Sequence, residues 1–270
     1  MPNASMIYFI ANLTLFALLS LYWAHLFRPS WIPDRMLLAT LLLFLSCQGM
    51  ALLWSGLELG PWAFAHFYLT TMLLIGAIVL VYLLLERLLR QRGVGAFVLT
   101  LAFVIHTYAI FFLPVAVEGP LQISPFTRSP WHLLRLLTAL VAYGAYTCAA
   151  GGSIAYFVTR LLARSKFASQ FPSSQDSEKF TRKALVMGFP WLSSSVIAGA
   201  VWAQLAWGSY WSWRPEEVWL LIVWLILTIT LHARTMPGWQ GRPLAFLSLL
   251  GFTLALVSLP LLGQGLAPAS

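Results

Sequence analysis

Eight apolar runs constrain this chain more than any other feature. They cover about 5–27, 36–56, 62–86, 94–117, 131–160, 185–206, 216–234 and 243–263, and a run of about 20 apolar residues is what a helix needs to cross a bilayer's hydrocarbon core. Charged residues make up only 9% of the 270 positions and hydrophobic ones 60%, where a soluble domain carries about 25% charged residues. The fold class that follows is all-α: a polytopic membrane helix bundle of about eight transmembrane helices, forming one transmembrane domain over 1–270. The first run has neither a basic start nor a small-residue cleavage site, so it reads as a retained helix and not as a signal peptide.

Lys and Arg fix the expected orientation. The connections after spans one, three, five and seven hold thirteen of the sixteen, and only Arg128, Arg135 and Arg214 fall at the other face. The positive-inside rule then puts both termini outside, together with the loop before span seven. The membrane is expected to be a bacterial inner membrane. The net charge of +8 is thereby a matter of topology and not a nucleic-acid signal, since the aromatics lie on the opposite side from the basic residues. The polar stretch 163–183 is expected to be a flexible cytoplasmic loop. Cys47 and Cys148 stand alone in apolar runs, with no CxxC pair, and read as core filler.

All five histidines lie in or at the ends of spans, where an ionisable group is a candidate for function. His66 and His132 begin spans three and five near the outer face, and His25 and His232 end spans one and seven near the inner face. Two pairs at two depths suit axial ligation of haem iron at two stations, by neutral imidazole nitrogens. His106, in mid-span, reads as a packing or polar contact within the bundle.

The segment WGSYWSWRPEEVW, 207–219, is the other concentration of chemistry. Trp207, Trp211, Trp213 and Trp219 offer indole faces to a macrocycle, and Arg214 offers a guanidinium fork to a propionate. Arg135 follows His132 by three residues, so on a helix it shares that face and could hold a second propionate. An interfacial tryptophan belt is the plainer account, but a belt would spread over all the spans. Pro215 suits a helix start, and Glu216 and Glu217 suit its first turn. Ser193, Ser194 and Ser195 have no base in reach by spacing and read as packing or interhelical hydrogen-bond residues.

The stretch 198–234, running from AGAVWAQ through the tryptophan segment to LHAR, resembles the WWD segment of the cytochrome c assembly family, the CcsA, CcmC and HemX group of haem-handling membrane proteins. WHLLRLLTALVAYGAYTCAAGGSIAYF, 131–157, is similar to the family's span with an external haem-ligating histidine, which maps to His132, while His232 maps to the LHxR ligand within the membrane. GWQGRPLAFLSLLGF and LLGQGL, in 238–266, resemble the last span. The resemblance covers about 131–266 and implies non-covalently bound, b-type haem, transferred to the outer face and handed to the CxxCH segment of an apocytochrome c with a CcsB/ResB-type membrane partner. In enzymatic terms the chain would be at most part of a cytochrome c haem lyase or synthase system.

Two positions depart from the family pattern. Arg214 stands where the motif has Asp, and Ala267 stands where the family's GLHSY places a second external histidine. Either His66 supplies the second outer ligand, or the outer haem is five-coordinate, loosely bound or absent. Three readings follow: haem presentation for cytochrome c maturation; a HemX-like regulatory or accessory haem binder without attachment activity; and a structural or transport subunit that has lost haem.

Overall fold

The computed structural model describes residues 2–60, 63, 64, 66–113, 128–233, 236 and 238–263. The end of the fourth apolar run, Arg234, the last three residues of LLGQGL and Ala267 lie outside the described residues. Among those described, eight helices are long and apolar enough to cross a membrane. They are α1 (Pro2–Phe27), α2 (Asp34–Leu59), α3 (Phe67–Leu89), α4 (Gly95–Phe112), α5 (Pro130–Leu161), α6 (Ser174–Trp207), α7 (Pro215–Ala233) and α8 (Arg242–Gly263). Most ends fall within a few residues of the apolar runs.

The start of α6 is the main difference. The expected loop over 163–183 is helical from Ser174 onward, after a short 3-10 turn at Ala168–Gln170. Local chemistry explains it. The Ser173 hydroxyl accepts the Asp176 backbone N–H at 3.0 Å and caps the helix, and Glu178 pairs with Arg182 one turn on at 3.3 Å. Ser177, Phe180 and Thr181 are buried, so this polar stretch has one packed face; hydropathy averaged around the helix hides it.

The core is arranged around α5, which packs against α3, α4, α6 and α8. Small residues let the backbones close up, as is common between membrane helices. A Cβ on Gly144 would come within 3.1 Å of the Ala77 backbone, and one on Gly151 within 2.9 Å of the Val98 backbone. The α1–α2 hairpin leans on this core through α4 and α3.

Polar side chains stitch the helices together where water is scarce. Ser193 accepts the Trp224 indole N–H at 3.0 Å, and Ser195 donates to the Arg135 carbonyl at 2.9 Å. These serines are interhelical ties, as expected. His106 Nδ1 lies 3.1 Å from Asn12 Oδ1, a polar contact inside the bundle. Cys47 and Cys148 are free, and Cys148 is buried.

At the end of the bundle that carries the α1 C-terminus, Arg92 pairs with Asp34 and with Glu86. Glu86 also accepts the Tyr22 hydroxyl at 2.5 Å. Three loops thus meet in one knot, since Gln91 donates to Asp176 at 2.8 Å. The opposite end carries the starts of α3, α5 and α7.

Candidate functional site

The first turn of α5 sets the site. Ser129 caps it, accepting the Trp131 N–H at 3.3 Å, and Pro130 takes the first helical position, where no amide is needed. His132 and Arg135 then share one helix face. Both are only 2% exposed, and both face Trp202 of α6. The imidazole centroid is 5.0 Å from the indole at an interplanar angle of 52°, and the guanidinium carbon lies 5.2 Å over the same indole.

Neither polar group is satisfied among the described residues. Both His132 ring nitrogens and both Arg135 terminal nitrogens are buried without a hydrogen-bond partner. Leaving such groups unpaired is costly, and a buried charge costs most. Glu216 and Glu217 act on Arg135 electrostatically from α7. Gly199 gives its stem room, because a Cβ there would sit 3.2 Å from the Arg135 Cδ.

The tryptophan-rich loop hangs over this pair. Gly208 ends α6 with φ +76°, a conformation glycine adopts without strain. One Glu217 oxygen then accepts the backbone N–H groups of Ser212 at 2.8 Å and Arg214 at 3.2 Å, fastening the loop to the start of α7. Arg214 donates through Nε to Glu216 at 2.9 Å, and its guanidinium lies 4.1 Å over Trp207. Trp207 in turn meets Trp202 edge-on at 5.7 Å. Trp211 and Trp213 form a second edge-to-face pair, also at 5.7 Å. Trp213 has φ +56° and is 74% exposed, a strained position for a bulky residue that turns its ring outward. Trp219 is half-buried on α7.

The expected residues are thus only partly assembled. His132, Arg135, Trp207 and Arg214 join one chain of contacts through Trp202, and Trp211 lines a small cavity with Arg135 and Glu217. His66 sits half-buried just before α3, with no hydrogen bond or ring contact to His132; burial lowers its imidazole below the ordinary value, which favours the neutral form. At the far end, His25 lies 3.3 Å from the Ile32 carbonyl and lines a cleft of 270 Å³ with Arg92 and Asp176. His232 is exposed and lines a separate cleft of 420 Å³ with Thr228, Ile229, Ala233, Met236 and Trp239. The two clefts share no residue.

Sequence reasoning missed Trp202, Gly199 and the double part of Glu216 and Glu217. A signal existed: Ser195, Gly199 and Trp202 recur at helical spacing, so one face of α6 had to meet α5. The density of tryptophan after 207 drew attention away from it.

Chemically, the donor set fits haem. An imidazole with both nitrogens unpartnered can ligate iron, and a guanidinium with two unpartnered nitrogens can take a carboxylate. Room for the macrocycle at this end is taken by Trp202, and the cavity beside Arg135 measures only 10 Å³. The cleft at His232 has the volume and the apolar walls that a flat ligand needs.

The model of the Cytochrome C assembly protein family matches residues 62–259, reaching well before the motif-bearing part. A protein named cytochrome c biogenesis protein CcsA from Heterosigma akashiwo is 30% identical over 304 aligned positions, which span 96% of this chain and 93% of the relative. Proteins of the same name from Mesostigma viride (30% identical, 75% of each chain) and Picosynechococcus sp. (28% identical, 94% of each chain) are also similar.

Proposed function

The chain belongs to the cytochrome c assembly protein family and is an integral membrane protein of cytochrome c maturation, and on that premise we propose that it binds haem non-covalently and presents it under its tryptophan-rich loop. The observation that carries this reading is the pair His132 and Arg135. They lie one turn apart, buried, each with unused hydrogen-bonding or ligating capacity.

In this reading His132 gives a ring nitrogen to iron, and Arg135 pairs with a propionate. The indoles of Trp207 and Trp211 flank the macrocycle, while the outward Trp213 ring meets the acceptor protein. The cleft at His232 receives haem at the other end of the bundle, where His25 lines a second cleft, while Trp219, on the first turns of α7, belongs to the loop end. His66 is the candidate for a second ligand at the loop end. The distribution of Lys and Arg argues that the loop faces outward, away from the cytoplasm of a bacterial cell. Haem, when bound, supplies the groups to which an apocytochrome's CxxCH thiols are joined; the protein's part is to hold and orient it. A CcsB/ResB-type partner would complete the outer site.

The test is the visible spectrum of detergent-purified protein with haem quantified. His132→Ala and His232→Ala are each expected to lower haem content at least about twofold, as loss of an axial ligand should. Unchanged content in both variants would reject the assignment.

One observation favours a second reading, an accessory haem binder without attachment activity. Arg214 is engaged with Glu216 and Trp207, so a cation replaces the motif's carboxylate in a built-in way. Restored cytochrome c in a strain lacking its own assembly protein would decide for presentation.

A further inference from the structure

We propose that Trp202 is the gate of the His132–Arg135 site: its indole lies where the face of a porphyrin would have to lie, and loading requires that ring to swing away. The inference rests on the haem-binding reading of that site and adds to it the residue that controls entry.

The indole is a flat aromatic surface contacted as a macrocycle would be. Imidazole approaches it to 5.0 Å and the Arg135 guanidinium covers it at 5.2 Å. Trp202 itself is 1% exposed, and the neighbouring void of 10 Å³ is at the lower limit of about 10–15 Å³ for holding even one water. No planar ligand can enter beside it without displacing it.

The groups left beneath the indole explain why displacement is rewarded. Among the described residues, two imidazole nitrogens and two guanidinium nitrogens have no hydrogen-bond partner beside the indole. Glu216 and Glu217 offset the Arg135 charge from α7, but the indole face gives the imidazole nitrogens only ring contact, which an iron would replace with ligation. The indole therefore excludes apolar visitors while leaving an incentive for a ligand that carries a metal.

The latch lies in the loop. Trp207 butts edge-on against Trp202, and Arg214 lies over Trp207 while paired to Glu216. Trp207 is the last residue of α6, and the Gly208 turn that follows it separates only the Arg214 part of the latch from the helix. Moving the loop frees the outer side of the indole.

The experiment uses the full-length protein in detergent, stripped of haem, treated with diethyl pyrocarbonate and read histidine by histidine by mass spectrometry. Wild-type His132 is expected to react at least about tenfold more slowly than exposed His232, and Trp202→Ala to remove most of that protection, as opening a local structure does. Trp202→Phe, which keeps an aromatic ring, is expected to fall between. His106, buried against Asn12 elsewhere in the bundle, should stay unreactive in every variant and so reports a retained fold. In parallel, haemin uptake by Trp202→Ala should be about tenfold faster than wild type, with the gain lost in Trp202→Ala/His132→Ala.

Equal reactivity of His132 and His232 in the wild type, or unchanged His132 protection in Trp202→Ala, would overturn the gate whatever haem does. Expected labelling with haemin uptake indifferent to His132 would instead reject the haem-binding reading at this site, and the gate for haem with it.

Discussion

Glu217 binds two backbone amides with one oxygen, and charge-assisted bonds of this kind are worth about 1.5–3 kcal/mol each. Glu217→Ala should therefore speed hydrogen exchange at the Ser212 and Arg214 amides by at least about tenfold, measured by mass spectrometry of peptides across the loop; unchanged exchange would mean that the loop is held by its tryptophans alone. Arg214 is the neighbouring case. Its partner Glu216 is buried, so Arg214→Asp places a third carboxylate beside two others and removes the cation paired with Glu216. The variant should melt several degrees lower in detergent, and adding Glu216→Gln should recover part of the loss, with a coupling of about 1–3 kcal/mol. Additive losses would show that the Arg214–Glu216 pair carries no energy of its own. Arg214 and Ala267 were legible in the sequence as departures from a pattern. That a second carboxylate two residues on answers Arg214 was not, because a helix-start glutamate looks the same whether it caps, pairs or does both.

Helix identity and number were legible at the scale of elements because burial in lipid demands long apolar runs with internally satisfied backbones. The first turns of α6 were not, since Ser174–Ala184 is mostly polar and its one packed face, with Ser177, Phe180 and Thr181, shows only once the helix is folded. Its cap can be tested directly: Ser173→Ala should cost about 0.5–2 kcal/mol and expose the 168–180 segment to limited proteolysis, and an unchanged cleavage pattern would deny the cap its role. The α5 seam gives a sharper contrast. Gly151→Ala forces a Cβ against the Val98 backbone, whereas a Cβ on Gly49 of α2 meets nothing within 4 Å. Gly151→Ala should destabilise by about 1–3 kcal/mol, and Gly49→Ala should be neutral or slightly stabilising by helix propensity. Equal thermal shifts would argue against close packing as the reason for the glycine.

Over the whole molecule, His66 and His132 lie at one end of the bundle and His25 and His232 at the other, with His106 between, and depth alone does not say which of them face one another. Depth is a one-dimensional quantity, and which helices are neighbours is settled by packing around α5. If haem occupies both ends, losses from His132→Ala and His232→Ala should add in the double variant, read as haem per protein; a double variant no worse than either single one would mean a single shared station. The two ends are nonetheless joined by α6. At 1.5 Å per residue its 34 residues make a shaft about 50 Å long, against a hydrocarbon layer of about 30 Å. It rests on Tyr82 through Phe180 at one end, is pinned to α5 through Ser195 midway, and bears Trp202 near the other. The helix is thus a tie rod: both ends that overhang the hydrocarbon layer are anchored to the rest of the bundle, by Phe180 on Tyr82 and Asp176 on Gln91 at one end and by Trp202 under His132 at the other.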